Sequence, residues 1–307
     1  MRTVYCILAA AAVSFAADPP QIEIANGASR AKLYLPDADN GYYRATRFDW
    51  SGVVASLEHK GHNYFGVWFP RYDPKLHDAI TGPVESFNAI GYDEAGAGGK
   101  FLRIGVGWLR RPEDARVNDF KTYEILDAGK WATRNGADWV EFTQTLADTY
   151  VYRKTVRLVK DQLVLEHSLE NTGKKPLETD VFNHDFYMLD NQPTSPDIVV
   201  KFPFNAQAGP DWSGPGEIRD RQVVYRQELQ KGQTVSGEIK GFGASATDYD
   251  LRVENRKTGV GVRQTGDRPL SRLYFWSIRT TVCPEAYIHI RVEPGKQETW
   301  RTAYEFY

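Results

Sequence analysis

Along most of this chain, apolar and polar residues alternate with a period of two, in short runs separated by turn residues. Successive side chains of a β-strand point to opposite faces, so each such run has one face to bury and one to leave outside. The runs cover Val53 to Glu58, Phe101 to Leu109, Trp139 to Leu146, Tyr150 to Leu158, Leu163 to Glu170, Thr179 to Phe186 and Ile198 to Phe202. They continue through Gln222 to Glu228, Val235 to Lys240, Tyr249 to Glu254, Leu273 to Ile278, Ala286 to Val292 and Glu298 to Phe306. Turn formers punctuate them at Asn135-Gly136, Lys160-Asp161, Asn171-Thr172-Gly173, Lys257-Thr258-Gly259 and Glu293-Pro294-Gly295. No long amphipathic helix competes. Many short strands at close spacing predict an all-β protein, a large two-sheet antiparallel β-sandwich. The stretch from Asp73 to Lys100 lacks the alternation and is rich in glycine and polar residues, so it reads as a long loop of the kind that carries function.

The chain has 307 residues, 41% hydrophobic and 25% charged, which is enough to bury a core. A net charge of -2 gives no basic excess for nucleic acid. Aromatic residues make up 13%, which suits both a core and a cleft where a ring packs on the CH face of a sugar. Arg2 followed by the apolar stretch Val4 to Val13 and then Ser14-Phe15-Ala16 predicts a signal peptide over residues 1–16, with a single β-sandwich domain over 17–307. The expectation is therefore export, periplasmic or secreted, with no membrane association after cleavage. Cleavage would leave Cys283 as the one cysteine, so no intrachain disulfide is expected.

Two short motifs stand out. The first is Asn183-His184-Asp185-Phe186-Tyr187-Met188-Leu189-Asp190; the second is Cys283-Pro284-Glu285, which opens a strand and is followed by Val292-Glu293-Pro294-Gly295. In the second, Ala286, Ile288, Ile290 and Val292 share the face that must enter the core, which leaves Glu285, Tyr287, His289 and Arg291 on the other. That other face is either a solvated outer surface or the wall of a cleft. In the first, Phe182, His184 and Phe186 share a face, a pattern that suits a core histidine as well as a functional one.

Together these motifs resemble the galactose mutarotase-like (aldose 1-epimerase) family. The resemblance extends to Arg47 through Leu57, to Leu163 through Asn171, and to Pro294-Gly295 with Thr299 to Phe306. It implies a mutarotase-like supersandwich in which His184 acts as acid and Glu285 as base on the anomeric centre of a sugar. It further implies that the two lie on opposite sides of the bound ring, several ångströms apart. Histidine titrates near neutrality, and one acid with one base suffices to open and reclose a pyranose, so no cofactor or metal is implied. The family's second histidine, in an Asn-x-Leu-His-Gly segment, has no counterpart here. Glu85, Lys100 and Arg103 occupy that region and are candidate sugar contacts, with Asp267 and His289 as further candidates. The partner implied is a monosaccharide or oligosaccharide. The expected activity is aldose 1-epimerase-like; the alternatives are a non-catalytic carbohydrate-binding protein of the same fold, or a polysaccharide-processing enzyme. No Gly-x-Ser-x-Gly, Walker or dinucleotide pattern occurs in a strand-to-helix context.

Overall fold

The structure, a computed structural model, describes residues 18–307. The signal segment expected at residues 1–16 lies outside the described residues. The alternating runs form antiparallel strands, gathered into a ten-stranded and a six-stranded sheet with smaller sheets of four and three strands. The two large sheets share one apolar core. From the ten-stranded sheet, Tyr150, Tyr152, Val156 and Leu158 point inward at alternate positions of the Tyr150–Val159 strand. From the six-stranded sheet, Ala286, Ile288, Ile290 and Val292 do the same on the Thr281–Val292 strand, the face expected for them. The chain is thus an antiparallel two-sheet β-sandwich.

Two expectations are corrected. The run from Phe101 to Leu109 is not one strand but a hairpin of Lys100–Arg103 and Gly107–Arg110. The chain reverses at Gly105, whose φ of 80° favours glycine, and a Cβ there would lie 2.6 Å from the Asp49 side chain. The stretch from Asp73 to Lys100 is not a plain loop either. It contains the strand Val84–Phe87, buried along its whole length at one edge of the six-stranded sheet. Alternation hides this strand because its inward position is a charge, Glu85.

That inward charge is answered from the opposite sheet. Lys154 donates to Glu85 Oε2, and His167 Nε2 lies 2.9 Å from Glu85 Oε1; from the neighbouring strand of its own sheet, Asn183 Nδ2 donates to Oε1 at 2.9 Å. Lys154 also donates to the Ser51 carbonyl at 2.9 Å. Asp49 sits alongside, accepting from Tyr152 Oη at 3.0 Å and from Ser51 Oγ at 2.6 Å. All these side chains are buried. Burial pushes the Glu85 carboxyl upward, but Lys154 and His167 outweigh it and hold it down at about 2.

A second apolar cluster covers part of the outer face of the six-stranded sheet. It combines Tyr43, Phe48 and Trp50, Trp68 and Ile80 with Phe186 and Cys283. This cover sits over the two motifs.

Candidate functional site

The Leu177–His184 and Thr281–Val292 strands are antiparallel neighbours, with Phe182 opposite Tyr287 and Val181 opposite Ile288. The register brings the ends bearing His184 and Glu285 together on the sheet's outer face. The first strand stops after His184. Phe186 takes a φ of 49°, and its N–H donates to Cys283 Sγ at 3.2 Å, which ties the two motifs to each other. Gly82 has no room for a Cβ: it would lie 2.4 Å from the His184 carbonyl oxygen. A glycine is needed for the chain to pass this close to the motif.

His184 Nε2 and Glu285 Oε1 are 3.3 Å apart. The imidazole stacks on Phe186 at 3.8 Å between centroids, and Phe186 stacks in turn on Trp68 at 4.7 Å. Phe48 and Trp276 meet the imidazole edge-on, at 5.8 and 5.7 Å. Glu285 Oε2 accepts from Tyr287 Oη at 3.3 Å, and Tyr287 stacks on Phe182. His184 Nδ1 is buried without a hydrogen-bond partner. Each of the two residues is 5% exposed.

This geometry corrects one expectation. The pair is not several ångströms apart, and 3.3 Å leaves no space for a sugar ring between the side chains. The reason lies in the register: both groups project from neighbouring strands on one face, so they stand side by side rather than across a cleft.

Burial sets the electrostatics. It pushes the Glu285 carboxyl up to about 7, against the opposing pull of Arg47. It pushes the His184 imidazole well below its ordinary value, with Arg47 and His77 acting in the same direction. Near neutrality His184 is therefore held neutral, while Glu285 is close to half protonated.

A stability prediction follows for Glu285. Its folded value lies above the unfolded value of 4.5, so the folded state binds the proton more tightly, and its contribution worsens as pH rises from 4.5 through 7. Glu285→Gln removes that dependence. The stability difference between Glu285→Gln and the parent protein should grow by about 3 kcal/mol in the variant's favour between pH 4.5 and pH 8. Urea denaturation of both proteins across that range measures it, and a difference that stays flat would sink the assignment of a buried, raised carboxyl.

The other sequence candidates are scattered. Glu85 is in the sandwich core with both oxygens engaged, on the opposite side of the sheet from His184. Arg103 is buried and bonds Asp119 at 2.7 Å and the Arg47 carbonyl at 3.3 Å, so it stands behind the site rather than in it. Lys100 lies over the Trp108 ring at 4.2 Å. Asp267 is exposed and accepts from the Arg301 backbone N–H at 3.0 Å, in the bend that follows the Val260–Gly266 strand of the ten-stranded sheet. His289 is half exposed on the same face as Glu285 and pairs with Asp180 at 3.0 Å. Sequence reasoning missed Arg47, Phe48, Trp68, His77 and Arg272. Arg47, Phe48 and Trp68 come from irregular segments and His77 from a single 3-10 turn, none with a strand period; Arg272, whose guanidinium lies 5.2 Å from the Tyr287 ring centroid, stands at a register irregularity between Leu270 and itself.

No family model matches the sequence, and no curated protein matches it. Solved structures do match. A galactose mutarotase-like protein from Lactobacillus casei is similar with a TM-score of 0.52 at 14% identity, covering 94% of this chain and 100% of that one. A galactose mutarotase related enzyme from Lactobacillus acidophilus gives 0.53 at 11%, covering 94% and 97%. The chain has the galactose mutarotase-like fold. A Synechocystis protein is also similar, with a TM-score of 0.57 at 12% identity over 97% of this chain and 99% of that one. At these identities the likeness concerns the mutarotase-like fold, and the chemistry must be argued from the residues.

Proposed function

We propose that the protein is an aldose 1-epimerase-like enzyme, with His184 and Glu285 moving protons at the anomeric centre of a sugar. The observation that carries this reading is the side-by-side placement of an imidazole nitrogen and a carboxyl oxygen, 3.3 Å apart, within aromatic walls. The anomeric hydroxyl and the ring oxygen are bonded to the same carbon, so they lie along one edge of the ring. An acid and a base standing side by side serve both oxygens from that edge. Neutral His184 Nε2 takes the hydroxyl proton while the Glu285 carboxyl gives one to the ring oxygen. The ring opens, the C1–C2 bond rotates, and the same two transfers run backwards to close it. The assignment with His184 as acid and Glu285 as base is the other tautomer of this one-proton pair. Burial favours the neutral tautomer.

The same burial favours a second reading, a carbohydrate-binding protein without turnover. Phe48 and Trp68 cover the pair, and a sugar must part that cover to reach it. Polarimetry on freshly dissolved α-aldoses decides between them. Equilibration faster than the buffer blank, with no added metal or nucleotide, is expected. Binding of aldoses with no acceleration overturns the enzyme reading in favour of the second.

A further inference from the structure

A strip of the same sheet face leads away from the candidate site. Beyond Glu285, the Thr281–Val292 strand presents Tyr287, His289 and Arg291 at alternate positions, opposite Phe182, Asp180 and Glu178 of the neighbouring strand. At ~3.4 Å per residue, Glu285 to Arg291 spans about 20 Å. The far end of the strip opens into a cavity of about 1010 Å³ bordered by Asn88, Gly91, Arg103, Asp119, Glu178 and Arg291. Arg103 connects this cavity to the site: it donates to the Arg47 carbonyl at 3.3 Å, Arg47 lies 4.7 Å over the Phe48 ring, and Phe48 meets the His184 imidazole. A second cavity of about 380 Å³ shares Ile90, Gly91 and Lys175 with the first and ends against the indole of Trp108.

Size and charge indicate the ligand. Pockets for drug-sized molecules run to about 1,000 Å³, and the larger cavity alone reaches that, more than one hexose needs. Its charges cancel. Arg103 bonds Asp119 and Arg291 bonds Glu178, while Arg116 and Lys175 are matched in number by Asp93 and Glu94. A charged polymer would meet as much repulsion as attraction. Paired ionic side chains do offer donors and acceptors to hydroxyl groups, and the half-buried Trp108, which lines the second cavity, offers aromatic surface to sugar CH groups.

We propose that this groove holds an uncharged oligosaccharide, with its reducing end at His184 and Glu285 and the following sugars along the strip towards Arg291. The chemistry at the reducing end rests on the epimerase-like reading; the binding does not. The test compares glucose and mannose with maltotetraose, cellotetraose and β-1,4-mannotetraose, using the full chain. Calorimetry reads binding, and NMR reads anomer exchange at the reducing end. At least one tetrasaccharide should exceed its monosaccharide roughly tenfold in affinity or in kcat/KM. That ratio should fall towards one in the Glu178→Ala/Arg291→Ala protein and, independently, in Arg116→Glu. Monosaccharide and tetrasaccharide behaving alike in every series overturns the groove while leaving the epimerase reading intact. A tetrasaccharide gain in binding with no anomer exchange supports the groove and removes the epimerase reading. Failure to bind or turn over any of the five sugars overturns the groove as well.

Discussion

Glu285→Gln is expected to lower kcat for anomer interconversion by roughly 10²-fold or more, and His184→Asn by a similar factor. Glutamine keeps the shape of the side chain and can still accept from Tyr287, but it cannot shuttle a proton. Asparagine likewise removes the titrating imidazole from the stack on Phe186. Both groups do their work as protons move, so turnover should suffer more than sugar affinity. Turnover and binding measured on the same samples separate the two effects. Because the two residues act as one proton-sharing pair, the double variant should be little worse than either single one. Activity that survives both substitutions would place the chemistry elsewhere on the sheet.

Lys154→Met should destabilise the protein by about 3–5 kcal/mol. Methionine fills similar volume but leaves Glu85 with its charge answered by His167 and Asn183 alone, inside the sandwich. Removing both charges, as Lys154→Met/Glu85→Gln, should recover most of the loss, since the penalty comes from an unmatched buried ion rather than from missing packing. The acid side gives a further check. Glu85 titrates at about 2 in the folded state against 4.5 unfolded, so its stabilisation is complete above pH 4.5 and is lost as pH falls towards 2. Lys154→Met should weaken that acid dependence. Urea midpoints for the single and double variants, at neutral and acid pH, measure both effects. A cost below about 1 kcal/mol for Lys154→Met would mean that the ion cluster is not what joins the sheets here.

The two halves of the candidate site differ in how readable they were. His184 and Glu285 lie on regular strands, and each stands on the face opposite core residues: Leu177 and Val181 in one strand, Ala286 and Ile288 in the other. Glu85 reads in the sequence as a candidate sugar contact because a charged residue in a polar stretch ordinarily faces water. Only the approach of Lys154 and His167 from the other sheet makes its inward position tenable. Trp68 and His77 carry no signal, and Arg47 only the family resemblance of its segment, since none of them lies in a run with a period from which to infer a face.

The sequence by itself therefore determined the β-sandwich, the strands that carry the two motifs, and the face on which Glu285 stands, while it left His184 open between core and outer face. These follow from a period of two and from which residues gain by leaving water, both of which are local properties. Tertiary structure alone decided the 3.3 Å contact between the pair, the aromatic cover of Phe48 and Trp68, and the burial that raises Glu285 and lowers His184. Those depend on strand register and on the path of distant loops. Side chains far apart in the chain settle such features by packing and pairing, and no local pattern encodes them.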